Sequence, residues 1–135
     1  MASRELSDLR PSTRKKIDAW LIECAKEISQ PIFLTCTYRS QEEHDKVYAQ
    51  GRTAPGSIVS WTRHTTHSER RSVDFAFRMP NPFDLKADVD QDGIADFTEA
   101  GRIAQSLGLQ WGVVLKNGRH VDLGHIQDNE IVESA

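Results

Sequence analysis

The chain has 135 residues, of which 38% are hydrophobic and 27% charged, a balance that supports one core and excludes a second domain of ordinary size. A formal charge of −3 gives no reason to expect nucleic acid or an anionic membrane as partner, and no apolar run reaches the roughly eighteen residues of a membrane span. Two cysteines, Cys24 and Cys36, are too few for a disulfide scaffold and read as small core hydrophobes. The opening Met1-Ala2-Ser3-Arg4-Glu5-Leu6-Ser7-Asp8 has no apolar stretch of the secretory type, so the chain is expected to be made and held in a cytosol, as a monomer.

In chain order, the apolar residues Ile17, Trp20, Leu21, Cys24 and Ile28 recur at spacings of three and four. They predict an amphipathic helix between Ser12 and Ser29, started by Pro11 and Ser12. Ile32 to Tyr38 is short, β-branched and aromatic after Pro31, which predicts a largely buried strand with Arg39 just past its end. Ser40-Gln41-Glu42-Glu43 is a capping box for a helix from Gln41 to Gln50, closed by Gly51. Gly51 to Thr66 has no periodicity and predicts a long ordered loop of the kind that usually carries function. Strand returns from Ser72 to Phe77. A helix is predicted from Phe97 to Leu107, ending at Gly108, followed by short strands at Leu109 to Val114, Arg119 to Val121 and His125 to Gln127. Asn117-Gly118 marks a hairpin turn. The sum is an α+β fold, a small antiparallel sheet with flanking helices.

Ligand-type side chains gather in two places: His64, His67 and Asp74, then His120, Asp122 and His125. Neither cluster is specific alone. Zinc hydrolysis needs three protein ligands, commonly two His and a carboxylate, and a further carboxylate to move a proton. Several motifs occur in order: Tyr38-Arg39-Ser40; Tyr48-Ala49-Gln50-Gly51-Arg52-Thr53-Ala54-Pro55-Gly56; His67 with Asp74-Phe75 seven residues on; Leu107-Gly108-Leu109-Gln110-Trp111-Gly112; and Asp122-Leu123-Gly124-His125-Ile126-Gln127. With these the chain resembles the zinc D-Ala-D-Ala carboxypeptidase and L-alanyl-D-glutamate endopeptidase family, most of all its single-domain phage endolysins, from about Leu6 to Gln127. The resemblance implies that His67, Asp74 and His125 bind zinc, that Asp122 is the general base, and that Arg39 binds a substrate carboxylate through its guanidinium fork. A structural salt bridge is the other reading of Arg39. Thr65 and Ser72 are mild departures from the family pattern. Arg70 stands where the family has Gly, and bears on the loop path and the substrate groove rather than on the ligands. His44, His64 and His120 take no role from the resemblance and read as surface or supporting residues.

Five acids, Asp88, Asp90, Asp92, Asp96 and Glu99, lie within twelve residues and leave the rest of the chain at a net +2. Asp88 to Glu99 fits an EF-hand-like calcium loop, with oxygens at positions 1, 3, 5, 9 and 12, Gly93 at 6 and the Ile94 carbonyl at 7. The expected whole is one zinc peptidase domain over residues 1–135 with a calcium loop at 88–99. It would cut the L-Ala-D-Glu bond of peptidoglycan as a phage endolysin, held in the host cytoplasm before lysis and acting on the periplasmic wall after release. The alternatives are a D-Ala-D-Ala carboxypeptidase and a catalytically inactive metal-binding module.

Overall fold

Pro11 opens the first helix, α1 (Pro11–Glu27), at the position where a missing N–H costs nothing. In the computed structural model, which describes residues 3–28, 30–58, 66–79, 81–88 and 93–130, it is followed by β1 (Ile32–Cys36), α2 (Gln41–Ala49), β2 (Ser72–Phe77), α3 (Asp96–Ser106), β3 (Gln110–Val114) and β4 (His120–Gln127). Ser40 caps α2, and both hydrogen bonds of the capping box form. The strands make one antiparallel sheet in the order β1-β2-β4-β3, as the α+β reading expects.

The core fills the space between this sheet and the helices α1 and α3. Ile17, Trp20 and Cys24 enter it from α1, Phe97, Ala100 and Ala104 from α3, and Val73, Phe75, Phe77 and Ile126 from the sheet. Phe75 is central, with ring centroids 4.9 Å from Trp20 and 5.2 Å from Phe97. The Trp20 indole N–H donates to the Ala100 carbonyl at 2.9 Å and ties α1 to α3. Cys24 is the expected core thiol: burial, then the charges of Glu99 and Glu23, push its pKa up to about 12, which makes it unreactive.

The structure corrects the predicted elements in two places. Strand β1 stops at Cys36 and is half-buried rather than largely buried, with only Cys36 fully covered, and Tyr38 forms an isolated bridge with Ser3. The two short segments expected at Arg119 to Val121 and His125 to Gln127 are one strand, β4, interrupted by a wide bulge. Trp111 pairs with Ile126 and Val113 with Val121, so Asp122 to His125 stand opposite Gly112 alone. A smaller shift lies in β1, where Leu34 pairs with Phe75 but Cys36 pairs with Asp74.

Trp111 seals the sheet against α3. Its indole N–H donates to the Leu123 carbonyl inside the bulge at 2.9 Å, and its ring lies so close to Gly101 that a Cβ there would sit 2.0 Å from Trp111 Cδ2. Gly101→Ala should therefore destabilise by about 1–3 kcal/mol through overpacking, outweighing a helix-propensity gain of about 1 kcal/mol. Urea unfolding measures the difference, and an equally stable variant would show that the indole can move aside at little cost.

Candidate metal centre

The register of the sheet sets three polar residues in a row across adjacent strands. Cys36 on β1 pairs with Asp74 on β2, and Asp74 pairs with His125 on β4. Paired residues project to the same face, so the three side chains are neighbours. Without the shift in β1, Cys36 would face the core; the bulge turns it toward Asp74. His67 reaches the row from the turn that precedes β2.

Asp74 divides its two oxygens between two kinds of partner. Oδ1 lies 3.2 Å from His67 Nε2 and 2.9 Å from His125 Nδ1, while Oδ2 accepts from Arg39 Nη2 at 3.4 Å. The two imidazoles meet edge to face with centroids 5.2 Å apart, and both are buried. A tetrahedral zinc with bonds of about 2.0–2.1 Å places its ligand atoms roughly 3.3 Å apart, and the distances from Asp74 Oδ1 to the two ring nitrogens match this. Burial disfavours the charged form of His67, but the Asp74 carboxylate and the hydrogen bonds to Asp74 and Cys36 outweigh it and raise its pKa to about 9. Burial also works against the Asp74 carboxylate, and its two histidine neighbours still hold it well below the usual carboxylate range.

Among the described residues, Cys36, His67 and Asp74 form a second, overlapping set of donors within 4.8 Å of one another. Cys36 Sγ lies 3.6 Å from His67 Nδ1, the ring nitrogen turned away from the Nε2 that faces Asp74 Oδ1. One ion therefore cannot use both sets. Arg39 Nη2 borders both sets, 3.4 Å from Asp74 Oδ2 and 3.7 Å from Cys36 Sγ. His67 Nε2, Asp74 Oδ1 and His125 Nδ1 make the other candidate cation site.

Asp122 stands in the bulge of β4 with φ +59, a left-handed conformation that Asp tolerates better than most residues. Desolvation raises its pKa, the nearby Asp74 charge adds to this, and His125, His67 and Arg39 pull the other way. Its carboxylate makes no hydrogen bond to the described residues. A half-buried acid with a raised pKa beside a cation site is suited to accept and return a proton.

No protein-family model matches the chain. Over 126 residues it is 33% identical to the peptidoglycan L-alanyl-D-glutamate endopeptidase CwlK of Bacillus subtilis (strain 168), a match covering 90% of this chain and 74% of CwlK. The chain belongs to the L-alanyl-D-glutamate endopeptidase family. Among the solved structures that share its fold are ChiX and LdcB. The L-Ala D-Glu endopeptidase ChiX of Serratia marcescens has a TM-score of 0.54 at 17% identity, over 94% of this chain and 87% of ChiX. The LD-carboxypeptidase LdcB has a TM-score of 0.62 at 15% identity, over 88% of this chain and 58% of LdcB.

The remaining sequence expectations fall out unevenly. Arg39 does form a salt bridge, with Asp74, and its Nη1 also lies 3.3 Å from Nδ1 of His44. His44 is buried on α2 and belongs to the support of the site, one of the two readings its sequence position left open. Cys36 is buried as expected but touches His67 and Arg39. His120 packs edge-on against Trp111 with Nε2 2.7 Å from its carbonyl oxygen, away from the cation site. Arg70 takes φ +59, the backbone that Gly would take, and its side chain turns to the Tyr38 ring and Asp8. In the acidic segment Asp88, Ile94, Asp96 and Glu99 are described, whereas Asp90 and Asp92, like His64, lie outside the described residues.

Metal analysis of two variants separates the overlapping donor sets. Cys36→Ala should keep one zinc per chain, and His125→Ala should lose it. The reverse pattern would move the site to Cys36.

Proposed function

We propose that this chain is a zinc endopeptidase that hydrolyses the L-Ala-D-Glu bond in the stem peptides of bacterial peptidoglycan. The observation that carries this reading is the convergence of His67 Nε2 and His125 Nδ1 on Asp74 Oδ1 within 3.2 Å, with Asp122 alongside. Membership of the family that includes CwlK supports the choice of bond. Bound at these three residues, zinc would supply a Lewis acid for the scissile carbonyl and lower the pKa of a water toward about 7. Asp122 would take the proton of the attacking water and pass it to the departing amine of D-Glu. Arg39 holds Asp74 through Nη2, and its role toward a substrate carboxylate rests on the sequence resemblance. The finer reading, a phage enzyme held in the host cytoplasm and released onto the periplasmic wall, rests on the sequence resemblance alone.

Mass spectrometry of digested peptidoglycan tests the bond. Stems that end in L-Ala on the glycan are the expected product. Loss of terminal D-Ala would select the carboxypeptidase reading, and no product the inactive module. In the same digest, Asp122→Asn should lose on the order of 100-fold or more in rate while keeping zinc. The substitution suits the left-handed backbone, since Asn adopts it readily. A carboxylate whose pKa is raised by folding favours the folded state only where it is protonated, and opposes it once pH exceeds the raised value. Asp122→Asn should therefore melt at the same temperature as the wild type or higher at neutral pH, and a lower melting temperature with normal turnover would remove Asp122 from the mechanism.

The same proposal includes calcium at residues 88–99. Its support is the twelve-residue spacing, together with Gly93 at the sixth position, where φ is +87 and the N–H donates to Asp88 Oδ2 at 2.9 Å. Asp96 and Glu99 stand in the first turn of α3, which leads to β3. Calcium would neutralise this cluster and steady that helix. With zinc saturating, melting temperature and hydrolysis should rise with free calcium, by about 2.7 kcal/mol of stability at a hundredfold excess over Kd. No dependence in either quantity would leave the loop an acidic turn.

A further inference from the structure

The ring nitrogen of His125 that faces away from Asp74 meets a chain of amides whose polarity is fixed from its two ends. A main-chain carbonyl can only accept, and a guanidinium can only donate. Gln110 Nε2 donates to the Gly112 carbonyl at 2.8 Å, which turns Gln110 Oε1 to receive Asn129 Nδ2 at 2.6 Å. At the other end Arg71 Nη1 donates to Asn129 Oδ1 at 3.0 Å, and this agrees with that orientation of Asn129. Gln127 therefore faces two oxygens, Asn129 Oδ1 at 2.7 Å and Gln110 Oε1 at 3.4 Å, and only its Nε2 can answer them. Its Oε1 is left for His125 Nε2, at 2.9 Å. A carbonyl oxygen accepts, so His125 Nε2 must carry a hydrogen. The hydroxyl of Thr66, 3.4 Å from the same nitrogen, suits either role.

Strand geometry explains why these groups meet. His125 and Gln127 project to one face of β4 and Asn129 continues the alternation, while Ile126 and Asp128 between them are fully buried. Gln110 is the register partner of Gln127 on β3. Asp128 pins this end of the sheet to α1, accepting from Thr13 Oγ1 at 3.0 Å and Lys16 Nζ at 2.8 Å.

We propose that Gln127 is a positioning residue that keeps a hydrogen on His125 Nε2, so that Nδ1, which meets Asp74 Oδ1 at 2.9 Å, is left as the nitrogen for the metal. This rests on the zinc reading above. Outer partners that fix the tautomer of a ligating histidine typically change metal affinity by roughly 10- to 100-fold.

Two variants and one spectrum test it. Zinc affinity is measured by competition with a chromophoric chelator, and melting temperature in excess chelator. Gln127→Leu removes the acceptor and should weaken zinc by roughly 10- to 100-fold. Gln127→Glu keeps an acceptor for His125 but sets a carboxylate against Asn129 Oδ1 and Gln110 Oε1. It should lower the melting temperature while zinc affinity stays close to the wild type. A merely structural role would make zinc affinity follow melting temperature through both variants, and that result would overturn the proposal. Nitrogen-15 spectra of the zinc-loaded wild type should show the hydrogen on His125 Nε2 and the metal on Nδ1; the opposite assignment would also overturn it, and this measurement needs no variant to fold. If His125→Ala loses zinc and Gln127→Leu does not, only the proposal falls. If the wild type takes up no zinc, the metal reading falls and the proposal with it.

Discussion

Asp74 and His125 face one another because β2 and β4 pair in a single register, and a slip of one residue would place Asp74 in the core and Phe75 at the site. That slip is strongly opposed. Burying an ionised carboxylate without partners costs several kcal/mol or more, and moving Phe75 out would forfeit its contacts with Trp20 and Phe97. One alternation along Val73, Asp74, Phe75 thus serves both faces of the sheet. The aromatic cluster beneath is what makes the carboxylate above reliable in position.

The site departs from a regular ladder where its chemistry requires a side chain aimed otherwise. A bulge in β1 brings Cys36 to the Asp74 face, and the wider bulge in β4 lifts Asp122 out of the ladder at positive φ. Gly112 opposite that bulge has φ +64, and a Cβ there would meet His120 Nε2 at 2.6 Å and the Val121 carbonyl at 2.7 Å. Only Gly lets β3 stay close enough for Trp111 to hold the Leu123 carbonyl. Left-handed residues other than Gly are costly, and among the described residues two occur: Asp122 in the site and Arg70 in the turn after His67. For Arg70, stacking on Tyr38 and pairing with Asp8 offset part of that cost and keep the turn that delivers His67.

Much of this was legible in the sequence because it depends on local rules. The capping box of α2, the strand Ser72 to Phe77 and the Asn117-Gly118 turn are written in neighbouring residues, and the structure has each of them. The positions of His67, Asp74 and His125 came from ordered motifs, and the structure brings the three together. What escaped depends on register. Cys36 reads as an ordinary small hydrophobe until a bulge turns it, His44 stays undecided between surface and support until Arg39 is laid against it, and Gln127 gains meaning only when Gln110 is known to be its cross-strand partner. The same cause split β4 in two, since Asp122-Leu123-Gly124 breaks the alternation while the strand continues beyond it.

The carboxylate of Asp74 also shows why Arg39 belongs to the site whatever else it binds. With Oδ2 held by Nη2, Asp74 offers a single oxygen to the two histidines, so the geometry of the three donors is set by one carboxylate atom and not by a rotating pair. The fork is essential to this arrangement, because Nη1 must at the same time meet His44 on α2. A lysine could supply the charge from one point but could not span Asp74 and His44 together. Helix α2, which contributes no donor to the cation site, is thereby coupled to it: the Ser40 cap sets the start of the helix, the helix places His44, His44 steadies Arg39, and Arg39 fixes which oxygen of Asp74 is free.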